Sequence, residues 1–163
     1  MILLDKLVLI YDCLRDPRDI AQIIHLAFAT NTKAILTGNS LSLAHFKVVN
    51  ILKSWLPEVN EKTILKLVSF EPDYFKCVKS LKKKGFVIFG TSPKAKISLF
   101  SSNLSKGKHA IVFGTETSGL SKAKTSVLDG MLSVPMQNKT NFFTISAIAP
   151  VICFEGLRQK KLI

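Results

Sequence analysis

Between Ile111 and Ser121 an apolar run gives way abruptly to Gly114, Thr115, Glu116, Thr117, Ser118 and Gly119. A carboxylate that follows a buried strand at once sits at the carboxyl edge of a sheet, where open α/β folds bind ligands. There Glu116 either meets a ligand or accepts backbone amide bonds within its own turn. Gly38 and Gly90 end apolar runs in the same way. Such a glycine lets the backbone approach a ligand closely, or simply makes a turn. No G-x-G-x-x-G and no G-x-x-x-x-G-K-[ST] occurs, so the common nucleotide fingerprints are absent. His25 is a second candidate, because a neutral imidazole is a competent base near pH 7. It is flanked by Ile24 and Leu26 on an apolar stretch, which also fits a packing or interface residue. Arg15 and Arg18 lie beside Asp16 and Pro17. Of the two, Arg18 is better placed for a phosphate near a helix N-terminus.

These groups need a scaffold, and the composition supplies one. The 163 residues suffice for one domain with its own core, and 47% apolar with 21% charged residues argues against disorder. No apolar run reaches the roughly 18 residues of a membrane span. Asp5 stands where a signal peptide needs an apolar stretch. The expectation is a soluble, cytoplasmic protein with no membrane partner. Cys13, Cys77 and Cys153 are scattered, which predicts free thiols and no metal site. Lys and Arg total 23 against 11 acids, giving a net charge of +12. A field of that sign draws polyanions, and the expected partner is a nucleic acid. Only Arg15, Arg18 and Arg158 are arginines. Lysine suits attraction to a phosphate backbone more than bidentate base reading.

The chain predicts strands alternating with helices. Strands are expected over 7–11, 34–38, 63–69, 86–90, 109–114 and 131–135. Helices are expected from Pro17 to Asn31 with Asp16 as N-cap, over 42–56, from 71 to 84, and over 143–157 with a kink at Pro150. Ser121 is positioned to cap a further helix. That alternation implies a mostly parallel sheet with helices on both faces, in a single domain over 1–163.

Three segments carry a family resemblance. Val112 to Ser121 resembles the second motif of the TrmH/SpoU branch of the SPOUT RNA methyltransferases, F-G-N-E-x-x-G-L-S. Val134, Pro135 and Met136, with the stretch from Phe142 to Glu155, resemble the third, I-P-M-x-G-x-x-x-S-L-N-V-S-x-A. Asp16 to Ala27 resembles the first, x-P-x-N-x-G-x-I-x-R-x-A. Together the three span nearly the whole chain. The resemblance implies a deep trefoil knot near the C-terminus and S-adenosylmethionine as cofactor. It implies cofactor contacts at Thr91, Gly114, Thr115, Gly119, Val134, Pro135, Met136 and Phe143, and catalytic-side roles for Glu116, Arg18, His25 and Ser146. It also implies a homodimer, with the first and last helices at the interface. The implied reaction is methylation of a ribose 2′-hydroxyl of tRNA or rRNA.

The chain departs from the family pattern in definite places. Asp19 stands for the Asn of the first motif, Ala21 for its Gly and His25 for its Arg. Thr115 stands for the Asn of the second motif, and Phe142 and Thr144 for the Ser and Asn of the third. The alternative function is therefore a catalytically degenerate dimer of this fold that binds RNA or cofactor without methyl transfer.

Overall fold

The structure is a computed structural model that describes residues 6–138 and 143–163. In chain order the elements are β1 (Leu7–Asp12), α1 (Pro17–Thr30), β2 (Lys33–Thr37), α2 (Phe46–Trp55) and α3 (Glu61–Leu67). Next come β3 (Val68–Glu71), α4 (Tyr74–Lys83), β4 (Phe86–Thr91), β5 (Ile97–Ser98) and a 3₁₀ turn (Leu99–Ser101). The chain finishes with β6 (Lys108–Phe113), α5 (Lys122–Thr125), β7 (Gly130–Ser133) and α6 (Ile145–Gln159). Among the described residues the sheet has seven strands in the order β3-β2-β1-β6-β4-β7-β5. All six pairings are parallel. The expected α/β architecture is the observed one.

β1 shows why its sequence does not alternate. All six residues are buried. Leu7, Leu9 and Tyr11 join the core beneath α1 and α6, with Ile111 and Phe113 of β6 beside them. Val8 and Ile10 face the opposite way, onto Tyr74, Cys77, Val78 and Leu81 of α4. A strand covered on both faces needs apolar residues at every position. Tyr11 stacks on Phe113 with ring centroids 5.0 Å apart. α6 lies so close to β1 that a Cβ at Gly156 would meet Leu7 at 2.9 Å.

Helix ends follow their local chemistry. Asp16 caps α1 by accepting from the Arg18 amide at 2.7 Å, and Asn31 closes it in the left-handed region. Pro150 lies inside α6. One expected strand is corrected. Residues 63–67 belong to α3, because the Asn60 side chain accepts from the Thr63 amide at 2.9 Å and starts a helix; the strand begins only at Val68. The short β5 was not anticipated.

At the amino edge of the sheet, Lys160 is buried at the end of α6. Its ammonium donates to the carbonyls of Leu104 and Gly107 and lies 3.0 Å from His109 Nδ1. Burial first, and the Lys160 charge second, hold the His109 imidazole down to about 4. The unfolded chain thus takes up this proton near pH 6.5 while the folded chain refuses it until about 4. Stability therefore falls as pH drops through that window, by up to roughly 1.4 kcal/mol per pH unit. Denaturant titrations at pH 7.5, 6, 5 and 4.5 check this. His109→Gln should flatten the slope, and an unchanged slope would refute the assignment.

Candidate functional site

Because every strand runs the same way, the carboxyl ends of β1, β6, β4 and β7 form one edge. A cavity of about 480 Å³ opens there. Its walls include Thr91 from the end of β4, the Gly114–Leu120 turn after β6, and Val134 and Met136 after β7. Leu132, Ile148 and Ile152 give it an apolar floor. That volume suits a small-molecule ligand.

The Gly114–Gly119 turn is built by its own side chains. Thr115 and Gly119 exchange backbone hydrogen bonds of 3.3 and 2.8 Å. The Thr115 and Ser118 hydroxyls lie 2.7 Å apart across it. Gly119 has φ +65°, which a side chain disfavours. Gly114 is required for a different reason, since a Cβ there would lie 2.4 Å from the Gly119 carbonyl carbon. Ser121 caps α5 as expected, accepting from the Lys124 amide at 3.3 Å.

Glu116 does bond a backbone amide, but one belonging to α6 and not to its own turn. It lines the cavity, and its Oε1 accepts from the Ile145 amide at 3.0 Å. Thr144, the N-cap of α6, makes no side-chain capping bond, so Glu116 supplies the cap from another segment. Ser146 lies in the same first turn, its hydroxyl oxygen 3.3 Å from Thr144 Oγ1. Asp19 of α1 reaches this group as well. Burial raises its pKa, the Ser146 hydrogen bond opposes that shift, and the Glu116 and Asp16 charges add to it. Glu116, Ser146 and Asp19 thus form one polar cluster at the meeting of three segments.

Of the expected cofactor contacts, Thr91, Gly114, Thr115, Gly119, Val134, Met136 and Phe143 line the cavity, and Pro135 does not. Pro135 is exposed, between Val134 and Met136 of the wall. Among the catalytic-side residues only Glu116 is in the wall. Ser146 and Arg18 stand outside it, Arg18 exposed in the first turn of α1. His25 is exposed on α1, its ring 6.1 Å from that of Trp55 and tilted to it by 46°. Phe142 lies outside the described residues. No group of three or more His, Cys, Asp or Glu able to hold a metal occurs among the described residues, and no described helix is long and apolar enough to cross a membrane.

Sequence reasoning missed a buried ion pair behind this edge. Asp12, at the end of β1, is 2% exposed, and its Oδ2 meets the Lys124 ammonium at 2.5 Å. Its Oδ1 accepts from the Thr37 hydroxyl at 2.9 Å. Lys124 also lies over the Tyr74 ring at 5.1 Å. The pair fastens α5, and so the far end of the cavity turn, to β1.

A parallel sheet with a glycine-walled cavity on its carboxyl edge defines a ligand-binding α/β domain. The chain belongs to the SpoU rRNA methylase family, which matches residues 6–154. Over 154 residues it is 25% identical to a 23S rRNA (guanosine-2′-O-)-methyltransferase RlmB of Xanthomonas axonopodis, covering 94% of this chain and 59% of that protein. Over 89 residues it is 29% identical to a tRNA (guanosine(18)-2′-O)-methyltransferase of Thermus thermophilus, covering 55% and 46%. The chain thus spans well under two thirds of the length of these relatives. Its fold is shared by the SpoU methyltransferase AviRb from Streptomyces viridochromogenes in complex with AdoMet, with TM-score 0.80, 21% identity and coverage of 98% and 62%. It is shared also by the protein of a study of 2-OH methylation of C/U34 on tRNA, with TM-score 0.81, 18% identity and coverage of 98% and 99%.

Proposed function

We propose that this chain is a single catalytic domain of an S-adenosylmethionine-dependent methyltransferase acting on a ribose 2′-hydroxyl of rRNA or tRNA. The observation that carries this reading is the cavity at the carboxyl edge, walled by the Gly114–Gly119 turn of a SpoU-family chain. The cavity fits the cofactor. Its apolar floor of Leu132, Ile148 and Ile152 suits a flat heterocycle, and the glycines keep side chains out of its rim. When bound there, S-adenosylmethionine supplies an electrophilic methyl group.

This chain's own residues do the remaining work. Gly114, Thr115 and Gly119 shape one wall, Thr91 and Val134 the facing ones, and Met136 and Phe143 the mouth. Glu116 holds the first turn of α6 against the cavity. Ser146 orients the Asp19 carboxyl beside it, placing a proton-accepting group within the cluster. Arg18 presents an exposed cation for RNA phosphate at the same edge. His25 has no place at the cavity of its own chain. Its position on α1, against Trp55, suits a contact with a second copy.

The reading includes a homodimer and a deep trefoil knot near the C-terminus. α1 and α6 pack on each other, and they leave Phe28, Val151 and Phe154 exposed, which a second copy would cover.

The test is incubation of the protein with methyl-labelled S-adenosylmethionine and total RNA, followed by nucleoside mass spectrometry. A 2′-O-methylated nucleoside is expected. Glu116→Ala should lower the transfer rate at least tenfold and cost about 1 kcal/mol through the lost cap, whereas Glu116→Gln keeps an acceptor for Ile145 and most of the stability. Cofactor binding without label in any RNA would overturn the reading.

A further inference from the structure

Phe46 is the most exposed aromatic of the carboxyl edge, with 64% of its surface open, and nothing in the cavity accounts for it. It is the first residue of α2, just after its cap, and its ring is held in place. The His45 ring stacks on it at 4.8 Å with 28° between planes. His45 is itself fixed, since its Nδ1 accepts from the Lys47 amide at 3.3 Å to cap the helix. Lys47 is exposed, with its ammonium 6.0 Å from the Phe46 centroid. A flat hydrophobic ring at the surface, with an exposed lysine ammonium reaching over it, offers a nucleotide a face for its base and a charge that can swing to its phosphate.

Its location agrees. α2 starts at the carboxyl edge because β2, which precedes it, runs parallel to β6 and β4. The loop leading to it is tied to the turn that carries Arg15 and Arg18. The Leu14 amide donates to the Ser40 hydroxyl at 2.9 Å, the Leu41 amide to the Leu14 carbonyl at 2.8 Å, and the Cys13 amide to the Thr37 carbonyl at 3.0 Å. Phe46, Lys47, Arg15 and Arg18 therefore share one edge with the cavity. From Gly38 to Pro57 the chain has no acid. That segment repels no phosphate, and it complements a polyanion rather than an acidic-and-basic protein face.

We propose that His45 and Phe46 form a stacking platform for an unpaired base of the RNA, next to the nucleotide in the cavity, with Lys47 meeting its phosphate. This rests on the RNA reading above and extends it, since it requires single-stranded or splayed RNA at the site. A base on a protein aromatic contributes enough that its loss weakens binding roughly 5- to 100-fold.

The experiment measures binding of the 163-residue chain to a 12-nucleotide oligouridylate and to a blunt 12-base-pair RNA duplex, by fluorescence anisotropy across a salt series. Phe46→Ala should weaken oligouridylate binding by that factor and leave duplex binding and the salt slope unchanged. Phe46→Tyr should retain affinity. In a Phe46→Trp, Trp55→Phe chain, oligouridylate should quench the fluorescence. Unchanged oligouridylate affinity in Phe46→Ala would overturn the platform, as would equal weakening on both RNAs. Loss of self-association in sedimentation would reassign Phe46 to a contact between copies, and so overturn it too. A wild-type chain that bound neither RNA would instead remove the RNA reading itself.

Discussion

Gly114→Ala is expected to abolish measurable S-adenosylmethionine binding and to cost about 3 kcal/mol of stability. The added methyl group would meet the Gly119 carbonyl carbon at 2.4 Å, the Leu120 amide nitrogen at 2.5 Å and the Gly119 oxygen at 2.7 Å. All three are backbone atoms, so no rotamer relieves the contact. The Thr115–Gly119 bridge would have to open, and with it the wall that Thr115, Glu116 and Gly119 give the cavity. Calorimetric titration with the cofactor and thermal denaturation read the two effects separately. Gly107→Ala is the contrast. Nothing lies within 4 Å of a Cβ there, though its φ of +78° makes the change a backbone matter alone, and cofactor affinity should survive it. Cofactor binding by Gly114→Ala at wild-type strength would show that the turn is not the site.

Lys124→Met should be the other large effect, lowering stability by about 2–3 kcal/mol and weakening cofactor binding as well. Removing one partner of a buried ion pair leaves a carboxylate in a poor solvent with too few donors. Asp12 would keep only the Thr37 hydroxyl. Lys124 is 24% exposed at its side chain, which moderates the loss. Adding Asp12→Asn should return much of it, because the amide keeps an acceptor for Thr37 and carries no charge. Urea unfolding of the wild type, both single variants and the double variant forms the cycle. If the double variant is as unstable as the sum of the singles, the pair is not what holds α5. The cofactor effect is expected because α5 follows the cavity turn directly and is fastened to β1 through this contact, and to α4 through the Tyr74 hydroxyl, which donates to the Lys124 carbonyl at 3.2 Å.

Much of this was legible beforehand, for physical reasons. β1 and β6 read as strands because both faces are covered, which forces continuous apolar runs. α1 was delimited by Asp16, Pro17 and Asn31, whose roles are local. The cavity turn declared itself because Gly114 and Gly119 answer to backbone geometry within six residues. Residues 63–67 misled because Thr63, Ile64 and Val68 favour strands, while the competing signal was a single Asn60 side chain. The Asp12–Lys124 pair left no trace, since the two residues are joined only by the fold. Phe46 was likewise hidden, because an apolar residue on an amphipathic stretch is expected inside. Asp19 was recognised as a departure, but its link to Ser146 and Glu116 depends on how α1 and α6 meet.

The strand order carries a consequence for how the chain is made. β1 lies inside the sheet, where Leu9 has Ala34 on one side and Ile111 on the other. During synthesis β2 becomes available early and can pair with it. The opposite edge of β1, from Leu7 to Tyr11, must wait until β6, which begins only at Lys108, has emerged. In that interval an apolar strand with open hydrogen-bonding groups is presented to the cell. Non-local parallel pairing of this kind is slow, because loop closure must precede any reward from contact. The nascent chain is thus a natural client for chaperones, and its most vulnerable segment is the strand that is best buried at the end.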